Sequence, residues 1–427
     1  MTATATLRGI ANRPHSLRLT STHTLVGQSS MAMSAKQSEK SRQTDLKVAQ
    51  SAAKAIRTVG VDQMALTRVA ADAGFSSGVI YARCDDRSEL VVLAWEKSFW
   101  PMLSEIMTLL IDAVVSQSSH NIEKISQLFQ DATMPDAVPD LGSAMEIIVS
   151  ARRDEVIAEV IQRDIAGLLD DFGVGPSTDG ANRQAVVSAI CTLFGAALLN
   201  SVYNTVTVAP IDPTALFELF SNSIKTVTKP SRKSGPTRKT TPYEFPTTHD
   251  DIRDALISAS EYVIARSGVH RATVSRIARR AGVSVGAIYG LYENKDSLVS
   301  DCLDVLFPPQ SIQDAKDWAR VFTADNQRDI VTEILTTYMS PSYRQWRQFR
   351  LECLIAARHS TEIAHQLGTY ASQARSMILE AASRAPHHAT FRPDTGMSAR
   401  ASVIGLSILE IVDPTIQMLD WRWLPVR

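Results

Sequence analysis

The chain is 427 residues long, 44% apolar and 21% charged, the composition of a soluble globular protein with room for several hydrophobic cores. A formal net charge of −1 excludes polyanion binding through bulk charge, so contact with nucleic acid has to come from local clusters. Cys84, Cys191, Cys302 and Cys353 are far apart and form no C-x-x-C pair, which argues against a zinc site or a disulfide framework and suits a reducing cytoplasm. No run reaches the roughly 18 uninterrupted apolar residues of a membrane span.

Residues 1–43 are rich in Ser, Thr, Ala and Arg, carry no acid before Glu39 and show no helical apolar stripe, so they are expected to be disordered. The reading taken is a solvated tail. The alternatives are an organelle transit peptide, a true start at Met31 or Met33, and an arm following DNA through Arg8, Arg13, Arg18, Lys36, Lys40 and Arg42. Across residues 45–59, Val48, Ala52, Ala55, Ile56 and Val59 share one helical face. Two short helices then flank a turn at Gly74-Phe75-Ser76-Ser77-Gly78-Val79-Ile80-Tyr81, and a fourth helix begins near Ser88 and runs through Leu90, Leu93 and Trp95. Residues 44–95 thus read as a small helical domain.

Residues 96–222 read as a bundle of about five helices, broken at 134–141, 172–180 and 208–213. Residues 223–247 hold Lys225, Lys229, Arg232, Lys233, Arg238 and Lys239, four prolines and no acid before Glu244. They form a basic linker, either a solvated tether or a run lying against DNA.

The plan then repeats. Gly282-Val283-Ser284-Val285-Gly286-Ala287-Ile288-Tyr289 lies 208 positions beyond its echo at Gly74, and the match extends from Gly60/Gly268 to Leu90/Leu298. In this second copy Val274, Ile277, Ala278 and Ala281 have helical spacing, Gly282 is suited to leave the helix with positive φ, and Ser284 to cap the next one. Residues 248–307 form this domain and 308–427 a second bundle. There Glu352, Ala357, Arg358, Ile363 and Ala364 repeat Glu146, Ala151, Arg152, Ile157 and Ala158 at a spacing of 206. The fold class expected is all-α, in two tandem copies. Helices near 184–200 and 400–419 are the expected pairing surface.

The order Ile-Ala-x-x-Ala-Gly-Val-Ser-x-Gly-x-Ile-Tyr-x-x-Tyr-x-x-Lys-x-x-Leu, from Ile277 to Leu298, resembles the DNA-binding domain of TetR-type (tetracycline-repressor-like) transcriptional regulators. The first copy departs from it at Phe75, at Cys84 in place of Tyr292, and at Arg87 in place of Lys295. The resemblance implies a helix-turn-helix followed by a helical ligand-binding and dimerising bundle in each copy. It also implies a double-stranded DNA operator, a small and mainly apolar effector, and two-fold pairing. Here that pairing is expected within one chain, a homodimer of chains being the alternative.

A recognition helix needs a thin N-terminal end to enter the major groove and donors for phosphates beside it. Ser284, Val285, Gly286 and Ala287 are the small residues, Tyr289 a phosphate donor, and Thr273, Arg276 and Lys295 the flanking clamps. Their counterparts are Ala65, Arg68, Ser76, Ser77, Gly78, Tyr81 and Arg87, with Arg83 as an added cation. Packing alone for the tyrosines and capping alone for Ser76 and Ser284 are the plain alternatives. A regulator whose second copy alone binds DNA is the competing functional reading.

For the effector, Trp318, Tyr338, Trp346, Phe349, Arg350 and Glu352 mix aromatic and polar groups, with ordinary core packing as the alternative. His359, His365, His387 and His388 have no metal-ligand spacing, and no nucleophile elbow, phosphate loop or H-E-x-x-H occurs. No enzyme, cofactor or metal is expected.

Overall fold

The computed structural model describes residues 26–116, 118–134, 136–138, 140–178, 180–203, 210–214, 216–218, 242–384, 393–419 and 421. Arg8, Arg13 and Arg18 of the alternative DNA-following arm and the basic run of the linker at 225–239 lie outside them, while Lys36, Lys40 and Arg42 lie inside. Among the described residues there are helices and no strand.

The chain divides into two compact units, residues 1–46 and 47–427. In the first, residues 26–46 belong to α1 (Val26–Val59), which corrects the expectation of disorder up to residue 43. That expectation rested on the missing apolar stripe. The run from Met31 to Gln43 consists largely of Ala, Met, Lys, Gln, Glu and Arg, strong helix formers whatever their pattern. An Arg42–Glu39 pair at 2.7 Å adds a small i,i+3 contribution.

The second unit runs through one order of elements twice. The end of α1 is followed by α2 (Leu66–Asp72), α3 (Ser77–Tyr81) and α4 (Arg87–Ala94), then a π-helical turn, Trp95–Phe99, and α5 (Trp100–Ser116). The first bundle continues with α6 (Ser119–Thr133), α7 (Leu141–Ser150), α8 (Glu155–Asp171) and α9 (Ala181–Tyr203). The second series is α10 (Asp251–Arg271), α11 (Val274–Ala281), α12 (Val285–Tyr289), α13 (Lys295–Thr323), α14 (Gln327–Tyr338), α15 (Arg344–Ala357), α16 (Thr361–Ala382) and α17 (Pro393–Val412). The breaks expected at 134–141 and 172–180 separate α6 from α7 and α8 from α9. Proline sits at matching places in both long connecting helices, Pro101 and Pro309. Each removes one ladder donor, and α13 loses a second at Pro308.

The last described stretch before α10, residues 242–250, has no regular secondary structure but is anchored. Tyr243 stacks on Trp346 with ring centres 6.2 Å apart and meets Tyr343 edge-on at 5.4 Å. The chain entering the second copy is therefore fixed to its bundle.

The two bundles meet along α9 and α17, which form the most extensive helix pair in the structure. Small residues let the backbones touch. A Cβ placed on Gly195 falls 1.8 Å from the Ala401 carbonyl oxygen, and one on Gly405 falls 1.7 Å from that of Cys191. These two contacts are reciprocal, as a two-fold axis through the pair would make them. Beside the crossing, Arg183 donates to Asp413 Oδ2 at 2.8 Å, to the Val174 carbonyl and to the Thr415 hydroxyl. Both charged side chains are 2% exposed, so this is a buried ion pair with its hydrogen bonds filled. Two stretches, Arg87–Ser116 and Ala181–Tyr203, are long and apolar enough to cross a membrane. The second is 94% buried within the protein, the burial of a core helix.

One carboxyl in the second bundle is poorly provided for. Glu261 on α10 is 1% exposed, accepts one hydrogen bond from the Gln345 amide at 2.7 Å, and leaves Oε1 without a partner. Burial pushes its pKa up to about 7 from an ordinary 4.5. Below pH 4.5 the group is neutral in both folded and unfolded chain. As pH rises from there to about 7 only the unfolded chain ionises, so stability falls through that window and levels off above it. At ~1.4 kcal/mol per pKa unit the loss is about 3 kcal/mol. Glu261→Gln, which keeps the acceptor, is expected to flatten this part of the pH–stability curve in urea unfolding. An unchanged slope would show that Glu261 is not its source.

Candidate nucleic-acid interface

Each helix-turn-helix is built from short-range chemistry. In the second copy the Thr273 hydroxyl caps α11 by accepting from Arg276 N at 3.3 Å, and Gly282 ends it at φ 73°, a conformation that a Cβ would disfavour. Ser284 caps α12, accepting from Ala287 N at 3.1 Å. Asn294 and Ser297 form a reciprocal capping box at the start of α13. The first copy keeps the left-handed glycine, Gly74 at φ 78°, and an Asp86 cap on α4. Its Ser76 makes no side-chain cap, so capping does not account for that residue.

Inside each recognition helix one apolar side chain is buried, Ile288 or Ile80, and the opposite face is open. Tyr289 and Tyr81 are 55% and 54% exposed, which sets aside simple packing as their role. Thr273, Arg276, Ser284, Val285 and Gly286 share that exposed surface, with Ala287 at its edge; Arg68, Ser76, Ser77 and Gly78 do the same in the first copy. Lys295 and Arg87 are half-buried and turn inward. Lys295 Nζ donates to the Val269 carbonyl at 3.1 Å, and Arg87 Nη1 to that of Asp62 at 2.8 Å. In the free protein both brace the turn after the first helix of their own domain, where the sequence pattern had placed phosphate clamps. Arg83, just past the end of α3, likewise donates to the Val79 carbonyl on that helix.

The two surfaces differ in charge. Helix α11 carries Arg276, Arg279 and Arg280, all exposed, with Arg280 lying 3.9 Å over the Tyr262 ring. The corresponding positions of α2 hold Arg68, Ala71 and Asp72. The second copy alone has a Tyr292–Asp301–Arg253 chain, with the tyrosine hydroxyl donating to Asp301 at 2.6 Å; Cys84 occupies the matching place in the first. Arg279 and Arg280 were legible as charge on a helix face, but the family pattern does not include them.

The two heads touch each other. The Gln63 amide donates to His270 Nε2 at 2.9 Å, and Arg271 Nε lies 3.0 Å from Asp62 Oδ1. Burial lowers the His270 pKa, with Lys295 acting in the same direction, which favours the neutral ring that accepts this bond. Beneath this contact, each head is tied to both bundles through a buried glutamate. Glu146 Oε1 accepts from Val61 N at 2.7 Å while Oε2 receives Arg358 and, at 2.8 Å, His359. Glu352 receives Arg152 at 2.5 Å, and Arg152 and Arg153 also donate to the Ala265 and Ser267 carbonyls of α10. Arg153 reaches Asp62 at 2.9 Å as well. Burial alone would raise the Glu146 pKa, but His359 and Arg358 hold it below the ordinary carboxylate value. The turn glycines fit tightly here. A Cβ on Gly60 would come 2.7 Å from Glu146, and one on Gly268 2.7 Å from Arg153.

Of the candidate effector residues, the structure brings Trp346 and Arg350 to a cavity in the second half. Trp318 and Phe349 are core, and Tyr338 bonds to Ser407 and Arg350. Glu352 belongs to the ion-pair network, because two neighbouring arginines need its charge there. Trp421 is buried and its carbonyl accepts from Thr332, so the described part of the C-terminal Trp-Arg-Trp packs inward. Among the described residues no cluster of His, Cys, Asp and Glu suited to a metal ion occurs.

Residues 256–302 match the family model described as bacterial regulatory proteins, tetR family. The match spans α10 to the start of α13, so the second head is a TetR-type DNA-binding domain and the chain reads as a DNA-binding transcriptional regulator. No curated protein matches the chain significantly.

Proposed function

We propose that this chain is a ligand-responsive cytoplasmic repressor in which two TetR-like protomers, fused head to tail, act as an intramolecular pseudo-dimer on an imperfectly palindromic operator. The observation that carries the reading is the direct contact between the heads, Gln63 to His270 and Asp62 to Arg271, with both recognition helices left open to solvent. A two-headed reader needs its recognition helices at a set spacing, since half-sites lie about one helical turn of DNA apart. The crossing of α9 and α17 and the two buried glutamates supply the rigid support for that spacing. The half-sites would differ, because Ser77 stands against Val285, Val79 against Ala287 and Arg83 against Leu291.

A specific observation favours a second reading, in which only the second copy binds DNA. The family match lies on that copy, and Asp72 sits on α2 where α11 carries Arg280. The experiment that separates the two uses a duplex from the region upstream of the gene and measures affinity against salt. Arg276→Ala and Arg68→Ala are each expected to weaken binding and to lower the salt slope by about 1, as loss of one phosphate contact does. If Arg68→Ala leaves affinity and slope unchanged while Arg276→Ala reduces both, the second reading holds.

A further inference from the structure

The cavity in the second half is walled by both copies. Leu199, Tyr203 and Ile211 come from the first, while α13, α15, α16 and α17 supply the rest, including Phe307, Trp346 and Tyr370. The aromatic wall is continuous, with Phe307 edge-on to Trp346 at 5.0 Å and stacked with Tyr370 at 6.2 Å. Two guanidinium groups face this space, those of Arg350 and Arg400, against one carboxylate, Asp314.

Their charges do not balance. Arg350 lies 3.3 Å from Asp314 and also donates to the Tyr338 hydroxyl. Arg400, half-buried on α17, shares the same carboxylate, Asp314, through a longer-range attraction, so one acid serves two guanidinium groups. Arg400, Arg350 and Arg375 all act on the buried Tyr203 hydroxyl, so the local field is positive. A half-buried cation in an apolar and aromatic chamber gains most from an anion that brings its own apolar body.

We propose that this composite cavity binds an amphipathic monocarboxylic acid, its carboxylate on Arg400 and its aromatic or aliphatic body against Phe307, Trp346 and Tyr370. The assignment rests on reading the chain as an effector-controlled DNA binder and names the chemical class of the effector. The cavity measures about 60 Å³, against the roughly 150 Å³ that accepts benzene in an engineered apolar site. Entry of such an acid therefore pushes its walls apart. Two of those walls lead to functional elements: α13 starts at Lys295 beside the recognition helix α12, and α17 crosses α9 at Gly405. Occupancy thus strains the support of the second head and the contact between the copies together, a coupling that favours DNA release.

The test uses the full chain without DNA and titrates phenylacetate and octanoate by calorimetry, beside their neutral partners phenylacetamide and octanol. At least one acid is expected to bind saturably and at least tenfold more tightly than its neutral partner. Arg400→Gln is expected to abolish that preference, and Leu367→Trp, which fills the cavity from α16, to abolish binding of both. Equal binding of acid and neutral partner, an acid preference that survives Arg400→Gln, or no saturable binding by either acid overturns the proposal. Operator affinity of the ligand-free chain is measured in parallel. Its failure would sink the regulator reading without touching the acid titration.

Discussion

Glu146→Ala is expected to destabilise the chain by about 3 kcal/mol and to weaken operator binding more than any single substitution on the recognition helices. Removing one partner of a buried ion pair costs about 3–5 kcal/mol, because the other charge stays buried without compensation. The lower end applies here, since Arg358 keeps the Ser143 hydroxyl at 2.8 Å and Asp140 at 3.3 Å. Val61 N and His359 lose their acceptor altogether. This side chain ties the first head both to its own bundle and to the other copy, beside the Arg153–Asp62 and Arg271–Asp62 pairs, so the position of that head loosens as stability falls. The pH dependence has a definite sign. Glu146 titrates below its ordinary value of 4.5 in the folded chain, so its contribution is present above that pH and is lost as pH falls through the folded value. The deficit of the variant, measured by urea unfolding, should therefore shrink on acidification below pH 4.5. A deficit that is constant with pH would mean that the charge of Glu146 contributes nothing.

Gly405→Ala is expected to destabilise by more than about 2 kcal/mol, against the direction that helix propensity alone predicts. In an open helix interior Ala is favoured over Gly by up to ~1 kcal/mol. At Gly405 the added methyl would sit 1.7 Å from the Cys191 carbonyl oxygen, and a backbone group cannot step aside as a side-chain tip can. Overpacking typically costs about 1–3 kcal/mol, and here it also forces the two bundles apart. Gly167→Ala is the internal control. Gly167 lies within α8 with nothing within 4 Å of an added Cβ, and Ala there should stabilise by about 0.5–1 kcal/mol. Equal shifts for the two variants in denaturant titrations would contradict the close crossing.

Much of this arrangement was legible in the sequence because local chemistry governs it. The helix-turn-helix carries its own signals in Gly282, Ser284, Thr273 and the buried Ile288, and the repeat at Gly74 and Ile80 follows from them. The helix before Gln43 was missed because amphipathic pattern was the signal sought, and that helix is encoded by propensity. The pairing of Phe194-Gly195 with Ile404-Gly405 is an internal match at a third spacing, 210 rather than 208 or 206. It was hidden by the shift in register, although a glycine in the middle of an apolar helix is the mark of close backbone approach. Glu352 was placed near a ligand because a buried acid among aromatics reads that way along the chain. Its partners Arg152 and Arg153 are 200 residues away, and no local pattern connects them. The roles of Lys295 and Arg87 in the free protein were also beyond sequence, since a basic residue at a helix start suits a carbonyl and a phosphate equally well.

In the proposed function one chain, with its two heads bonded to each other, reads one operator. Light scattering of the free protein and of its complex with a duplex from its own upstream region tests this most directly, together with a footprint of the bound DNA. A free species of 46.7 kDa, one chain per duplex and two protected half-sites of different sequence are expected. A free species of twice that mass, binding as a pair of chains with a single half-site protected by each, would contradict that reading.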